Sequence, residues 1–237
     1  MPRPRRVSPG GICYHAIQRS NDGSTVFHGD GEYRAFLAAL GDADDRVAMP
    51  LLAYCLMPNH VHLVVRPEAD GDLSRWMGML FTTFARRYHR VHGTRGHLWQ
   101  GRFKAFPIEA DDHLLTVLRY VERNPLRAGL VDRAADWTHS SLRGRGGGPA
   151  PVPLAPSPVP LPADWADFVD RPLTSRERED ADLVRLRRCV NRGAPFGGAG
   201  WTASTADRLN LRSAMRPRGR PAGHGGHGGE HPPRGGP

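Results

Sequence analysis

The stretch that decides the fold reads Leu56-Met57-Pro58-Asn59-His60-Val61-His62-Leu63-Val64-Val65. Short apolar runs at 51–56 and 61–65 flank Pro58-Asn59, and these two residue types favour a tight turn because proline presets φ. The stretch therefore predicts a β-hairpin. Because side chains alternate along a strand, we expect His60 and His62 on the same face of the second strand.

Two histidines on one strand face form a candidate metal site. Strand geometry sets their Cβ atoms about 7 Å apart, and two inward-leaning imidazoles can reach one ion with N–metal bonds of roughly 2.0–2.1 Å. A half-buried strand with two hydrogen-bonded histidines would have the same pattern, because His-x-His also occurs by chance. On spacing alone both interpretations stay open.

A second constellation lies in residues 111–125, which begin with Asp111-Asp112 and end with Asn124-Pro125. Acidic residues favour a helix N-terminus and proline ends a helix, so this segment predicts a helix of about three to four turns. Within it Tyr120 and Asn124 share one flank, beside an apolar stripe formed by Leu114, Val117, Leu118 and Val121. A core tyrosine and an asparagine that stops the helix would fit the same spacing.

Three blocks of sequence resemble the single-tyrosine HUH transposases, and most closely the REP-associated tyrosine transposases of bacteria. The first block, Tyr54 to Val65, contains Met-Pro-Asn-His-hydrophobic-His. The second, Gly96 to Lys104, reads Gly-His-Leu-aromatic-Gln-Gly-Arg-aromatic-Lys, and the third, Arg119 to Leu130, reads Arg-Tyr-x-x-x-Asn-Pro-x-Arg-Ala-Gly-Leu. The blocks stand in the family's order, within a resemblance that extends from Tyr14 to Ser141.

The resemblance implies a role for four residues. His60 and His62 correspond to metal ligands, Tyr120 to the nucleophile, and Asn124 to a third, amide-type ligand. A free phenol ionises near pH 10, so such a nucleophile needs its developing phenolate stabilised and the phosphoryl oxygens polarised. Two imidazoles and an amide leave open positions that suit Mg²⁺ or Mn²⁺. The implied activity is that of a transposase that cleaves DNA near hairpin repeats through a covalent 5′-phosphotyrosine.

A path for DNA is predicted at the ends of three strands. Arg102 and Lys104 are two residues apart on a predicted strand and should share a face, which suits a groove that follows a single-stranded or hairpin DNA backbone. Arg19 and Asn21 close the first strand, and Asn59 lies in the hairpin turn. A solvated edge strand would give the same basic pattern.

Composition agrees with a nucleic-acid partner. The chain has 33 Lys+Arg against 24 Asp+Glu, a net charge of +9 and a pI near 10.4, and because Lys104 is its single lysine the excess is arginine, which grips phosphate bidentately. A GC-rich genome would raise arginine as well. Three scattered cysteines match neither a zinc knuckle nor a disulfide framework. With no long apolar run, we expect a cytoplasmic monomer or homodimer without membrane contact or nucleotide cofactor.

The element pattern predicts an α+β domain over residues 1–143. We expect strands at 11–19 and 99–109 around the hairpin, and helices at 32–44 and 73–92. This order favours a ferredoxin-like antiparallel sheet with helices on one face and the nucleophile helix beside the His-x-His strand.

The composition changes after Ser141. Residues 144–165 are Gly- and Pro-rich and predict a linker, and 166–215 predict a small helical segment with a capping box at Thr174–Glu177 and a short helix near 202–209. Residues 216–237 predict a disordered basic tail. Within that tail Arg218-Gly219-Arg220-Pro221 matches the core of minor-groove hooks, a motif of only four residues.

Two other functions compete with the active transposase. A domesticated relative could bind DNA hairpins without turnover, which the intact Tyr120, His60 and His62 argue against. An unrelated metalloenzyme could use the His-x-His pair. A cupin, however, places a glutamate three or four residues after its second histidine, whereas the first acidic residue after His62 is Glu68, and 237 residues are short for a barrel enzyme.

Overall fold

A computed structural model describes residues 6–148, 151–171 and 181–216. Its first strands and helices follow the order βαββαβ: β1 (Cys13–Arg19), α1 (Asp30–Asp44), β2 (Leu51–Met57), β3 (His60–Val65), α2 (Asp72–His92) and β4 (Lys104–Ile108). The strands form one antiparallel sheet in the order β2-β3-β1-β4. This is the ferredoxin-like arrangement, so the predicted α+β fold is confirmed.

Helices cover both faces of the sheet. On one face α1 and α2 bury the first hydrophobic core, to which β3 contributes Val61, Leu63 and Val65. On the other face α3 (Asp112–Glu122) packs over Val64 and its neighbours from β2 and β4. Because side chains alternate along β3, one face of this strand is purely apolar and the other also carries the two histidines.

The predicted hairpin is present. Met57 pairs with His60 across Pro58-Asn59. The loop after β1 clamps this turn, since the amide of Ser20 donates to Asn59 O (2.9 Å) and the amide of Val26 donates to Pro58 O (2.8 Å). The turn and the segment that follows β1 are therefore hydrogen-bonded to each other at one end of the sheet.

The strand predicted over 99–109 is shorter in the structure. Its ladder with β1 begins at Lys104, opposite Ile17. Gly101 takes φ +63°, a conformation that glycine adopts at little cost, and its amide donates to Trp99 O at 2.9 Å. This turn interrupts the pairing and leaves Arg102 in the bend before β4. The expectation that Arg102 and Lys104 lie on one strand is therefore wrong.

The helix predicted before Pro125 begins as expected and ends differently. The side chain of Asp111 accepts from the amide of His113, and the apolar stripe from Leu114 to Val121 is buried. After Arg123, a second short helix, α4 (Asn124–Arg127), follows at once. Pro125 lies in its first turn, where no backbone donor is needed, so proline does not end the helical path here.

The chain after Ser141 returns to the α3 face. It contains α5 (Leu142–Arg145), α6 (Trp165–Asp170), α7 (Ala181–Arg192), α8 (Ala199–Arg208) and α9 (Arg212–Met215). The sequence predicts a linker over 144–165, but α5 still covers 144–145 and α6 already begins at Trp165. The described residues between them, 146–148 and 151–164, have neither helix nor strand, and the amide of Ala155 donates to Leu51 O at 2.8 Å. Phe196 is fully buried, and its backbone forms an isolated β-bridge with Ile108 at the end of β4. The predicted domain boundaries stay a prediction.

Several predicted features lie outside the described residues: the capping box at Thr174–Glu177, the Arg218-Gly219-Arg220-Pro221 motif and all but the first residue of the tail at 216–237. Among the residues that the structure does describe, no helix has both the length and the apolarity needed to cross a bilayer.

Candidate functional site

Three histidines and one tyrosine meet on the α3 face of the sheet. The ring centroids of His60 and His62 lie 4.8 Å apart, and the ring of Tyr120 lies 6.0 Å from that of His62. His15 on β1 completes the cluster, 5.0 Å from His62 and 6.1 Å from Tyr120. The structure thus brings the two predicted ligands and the predicted nucleophile together, although they come from β3 and α3.

The hairpin turn orients His60. The Nδ2 group of Asn59 donates to Gly23 O at 3.0 Å, which turns its amide oxygen toward His60 Nδ1, 2.7 Å away. An amide oxygen only accepts hydrogen bonds, so Nδ1 of His60 carries the proton and Nε2 keeps a lone pair. Asn59 was predicted to bind DNA; in the structure both ends of its side-chain amide bond within the protein.

A second histidine orients His62. Nδ1 of His62 lies 2.8 Å from Nε2 of His15, which projects from the neighbouring strand. His15 is fully buried, and the edges of Phe106 and Tyr120 pack against its ring. Each of the two predicted ligands therefore has its Nδ1 bonded to a protein group, which is the usual outer-shell arrangement of metal-binding histidines.

Burial keeps the histidines neutral. Burial, followed by the positive charges of Arg19 and Arg127, lowers the pKa of His60 to about 4. Burial also lowers the pKa of His62 well below its ordinary value, with His60 and His15 adding to the effect, and it lowers the pKa of His15 to about 3. Neutral imidazole is the form that binds metal, so neither predicted ligand has to lose a proton to reach that form at neutral pH.

The hydroxyl of Tyr120 meets an arginine that the sequence reasoning did not single out. Nη2 of Arg127 donates to the phenolic oxygen at 3.2 Å, and the guanidinium carbon lies 4.4 Å from the centre of the ring. Tyr120 is 8 % exposed. A fixed positive donor at the phenolic oxygen favours the negative charge that a tyrosine nucleophile develops.

Asn124, the predicted third ligand, is held by its neighbours. Its Nδ2 group donates to the carbonyl of Tyr120 at 3.2 Å, and its Oδ1 accepts from Nη2 of Arg127 at 2.8 Å. An amide oxygen has two lone pairs, so one stays open while Arg127 occupies the other. The same arginine thus bonds the predicted nucleophile and the predicted third ligand.

The predicted DNA-binding residues gather at one end of the sheet. Arg19 pairs with His60 in the β1–β3 ladder, and the amide of Asn21 donates to Leu98 O at 2.9 Å. A cavity of about 170 Å³ at this edge is lined by Arg19, Arg102 and Lys104. Although Arg102 precedes the strand, it still borders the same cavity as Lys104, beside the ladder that carries His60.

A second group of possible metal ligands lies at the opposite end of the sheet. Atoms of Glu109, Asp111 and His113 lie within 4.8 Å of one another. Both carboxylates accept hydrogen bonds from backbone amides at helix N-termini. Asp111 caps α3, and Glu109 accepts from the amide of Gly198, the residue before α8, at 2.7 Å. The group follows Ile108, which pairs with Cys13 at the start of β1. His60 pairs with Arg19 at the other end of β1, so the group is remote from His60. We assign it to helix capping.

Two residues at the site were not predicted from the sequence: His15, which belongs to the cluster, and Arg127, which contacts Tyr120. The predicted first strand included His15, but its position beside His62 depends on the β1–β3 register, in which Ile17 faces His62. Arg127 lies beyond Pro125, where the predicted helix ended. Had the pairing of β1 with β3 been predicted, it would have located His15 beside His62. Had a helical path through Pro125 been predicted, it would have located Arg127 beside Tyr120.

Comparison with known proteins finds similarity to transposases. Residues 10–124 match the family model described as "Transposase IS200 like". A protein of Haemophilus influenzae (strain ATCC 51907 / DSM 11121 / KW20 / Rd) that carries the name REP-associated tyrosine transposase is 28 % identical over 116 residues, a match that covers 45 % of this chain and 66 % of the relative. The chain therefore spans just under two thirds of that relative's length.

A solved structure shares the fold. It is that of a REP-associated tyrosine transposase bound to a REP hairpin, with a TM-score of 0.50 and 24 % identity, and the match covers 63 % of this chain and 89 % of that one. The matched family region runs from just before β1 to Asn124 and so contains His15, His60, His62 and Tyr120. Over this region the chain resembles the IS200-like transposases, and the Haemophilus influenzae relative and the solved structure of similar fold both carry the name REP-associated tyrosine transposase.

Proposed function

We propose that this protein is a metal-dependent single-strand DNA endonuclease and strand transferase that cleaves next to a hairpin and forms a covalent 5′-phosphotyrosine on Tyr120. The proposal rests on the contact between Arg127 and the hydroxyl of Tyr120, whose ring centre lies 6.0 Å from that of His62. A buried tyrosine with its hydroxyl on a guanidinium and its ring beside two neutral imidazoles suits nucleophilic attack on phosphorus.

In the proposed reaction, the phenolic oxygen of Tyr120 attacks the scissile phosphorus and the 3′ oxygen leaves. The products are a 5′-phosphotyrosine and a free 3′-OH, and the phosphoester energy is kept for rejoining. Arg127 donates to the phenolic oxygen and so stabilises the charge that grows there as the proton departs. Its second bond, to Asn124, fixes the direction of the guanidinium.

His60 and His62 would hold Mg²⁺ or Mn²⁺ through their Nε2 atoms, with Asn124 Oδ1 as a third ligand. The fit rests on two observations: each Nδ1 bonds to a protein group, and both imidazoles are neutral. When bound, such an ion would polarise the phosphoryl oxygens of the substrate and neutralise part of their charge. The residues of the chain contribute fixed ligand directions and a buried surround.

The substrate is a single strand beside a folded stem. The phosphorus must come in line with Tyr120, which is 8 % exposed, and a flexible single strand can bring a phosphate to a buried hydroxyl more easily than an intact duplex can. Arg19, Arg102 and Lys104 border a cavity at the same end of the sheet and can follow a flexible backbone. The REP hairpin bound to the transposase of similar fold supports this substrate class.

Cleavage of matched substrates tests the proposal. The substrates are hairpins flanking the gene of this protein, each with a flank that is either single-stranded or fully paired, in the presence of Mg²⁺. We expect cleavage of the single-stranded flank only, lost with a chelator and in Tyr120→Phe. Tight hairpin binding without cleavage in the wild-type protein would favour the alternative, a DNA-binding protein without turnover.

A further inference from the structure

The two predicted ligands differ in how their protons are fixed. At His60 the partner is an amide oxygen, which only accepts, so Nε2 always keeps its lone pair. At His62 the partner is Nε2 of His15, which either donates or accepts. Only one of these two arrangements leaves a lone pair on Nε2 of His62. His15 therefore decides whether His62 can act as a ligand through Nε2.

We propose that His15 is the positioning residue of the ion site: in the ion-bound protein its Nε2 accepts the Nδ1 proton of His62, which leaves Nε2 of His62 free to bind the ion. This inference rests on the proposed function, because it assumes that His62 is a ligand. The proton of the neutral His15 then resides on its own Nδ1. Both imidazoles keep one proton in either arrangement, so none is gained or lost.

The surroundings of His15 support this role. Its Nδ1 is buried and has no hydrogen-bond partner among the described residues, an unusual state for a core polar atom. A histidine whose task was only to fill the core would gain by bonding both nitrogens or by replacement with an apolar residue. The hydrogen bond that His15 does make is directed at His62. Its ring is held in place by the edge of Phe106, 5.1 Å away.

Two substitutions of His15 separate the hydrogen bond from the packing. His15→Gln keeps an acceptor near the position of Nε2 and loses the ring, whereas His15→Phe keeps a ring and loses the acceptor. With Mn²⁺ as the probe, measured by electron paramagnetic resonance titration of the DNA-free protein, we expect His15→Phe to weaken ion affinity about 10- to 100-fold. His15→Gln should lie between His15→Phe and the wild type, close to the latter.

A His62→Ala protein distinguishes failure of this inference from failure of the proposed function. If His62→Ala binds Mn²⁺ as the wild type does, the proposed ion site is wrong, and His15 loses its role with it. If His62→Ala loses affinity while a folded His15→Phe keeps wild-type affinity, only the inference about His15 is overturned. Unchanged Mn²⁺ affinity in His15→Phe therefore counts against the role of His15 once His62→Ala has been shown to lose affinity.

Nitrogen NMR of the wild-type protein tests the inference without any variant. With selectively ¹⁵N-labelled histidine and saturating Mg²⁺, we expect a protonated Nδ1 on His62, a protonated Nδ1 on His15 and a coupling across the bond between His62 Nδ1 and His15 Nε2. A proton on Nε2 of His62 in the ion-bound protein would overturn the proposal, even if His15→Phe failed to fold.

Discussion

Nη2 of Arg127 lies 3.2 Å from the phenolic oxygen of Tyr120, and the guanidinium also covers the face of the tyrosine ring at 4.4 Å from its centre. The two residues are on different short helical segments, α4 and α3, which meet at Arg123. Helical hydrogen bonds continue across this junction, since the amides of Arg123 and Arg127 donate to Arg119 O (2.9 Å) and Arg123 O (3.0 Å). About two turns after Tyr120, Arg127 therefore returns to the same side of the helical path. In the proposed reaction this contact supplies the positive donor that the nucleophile needs.

Arg127→Ala should slow the chemical step far more than it weakens DNA binding. Loss of a charged donor at a reacting oxygen typically lowers a rate by about 10²–10³. Single-turnover cleavage of a hairpin with a single-stranded flank measures the rate, and fluorescence anisotropy measures binding. Arg90→Ala, at an exposed position on α2, is the control for loss of one charge. A normal rate in Arg127→Ala would remove Arg127 from the mechanism.

Substitution of histidines distinguishes the two groups of possible ligands. His60→Ala and His62→Ala should each abolish cleavage over any practical range of Mg²⁺ or Mn²⁺, because each removes one of the proposed imidazole ligands. Asn124→Ala should regain activity at higher ion concentration, since an amide is the weakest of the three ligands. His113→Ala should stay active, because that residue belongs to the helix-capping group. The opposite pattern would move the ion site to Glu109, Asp111 and His113.

Arg102 and Lys104, which border the cavity at the His60 end of the sheet, should contribute to the salt dependence of DNA binding. For single strands the slope of log K against log salt changes by about 0.7 per phosphate neutralised, so joint substitution of Arg102 and Lys104 by alanine should flatten it by up to about 1.4. Arg34 and Arg90, both on the helices of the other face, provide the matched double substitution. The DNA path is misplaced if the two double variants have equal slopes.

Glu122 should be essential for stability. It is fully buried at the end of α3 and accepts from Ser141 Oγ (2.5 Å), Arg145 Nε (2.7 Å) and Trp165 Nε1 (2.6 Å). Glu122→Ala leaves the mostly buried Arg145 without its carboxylate, so we expect the free energy of unfolding to fall by roughly 3–5 kcal/mol. Urea denaturation measures this, with the exposed Glu68→Ala as control. A loss no larger than that of the control would contradict the account.

Most of what was predicted correctly follows from residues that are close together in the sequence. The hairpin and the shared face of His60 and His62 follow from turn chemistry and a period of two, both contained in ten residues. The apolar stripe of α3 follows in the same way from its period of 3.6. These features need no knowledge of which strands are neighbours, and the structure has them where the sequence predicts them.

What the sequence reasoning missed depends on long-range pairing. His15 becomes part of the site only because β1 lies between β3 and β4, and β4 is short because Gly101 turns the chain before the ladder begins. The contact of Arg127 with Tyr120 requires a helical path that continues through Pro125, against the ordinary preference of proline. In each case tertiary contacts decide between local conformations that the sequence allows.

The most direct test of the central claim is to map the covalent adduct. The protein is incubated with Mg²⁺ and a hairpin carrying a single-stranded flank, and the adduct is digested and analysed by mass spectrometry. The account predicts a 5′-phosphonucleotide on Tyr120, absent from Tyr120→Phe and unchanged in Tyr88→Phe, whose hydroxyl meets His28 on the other face of the sheet. An adduct on Tyr14, Tyr33, Tyr54 or Tyr88, or cleavage that proceeds in Tyr120→Phe, would contradict it.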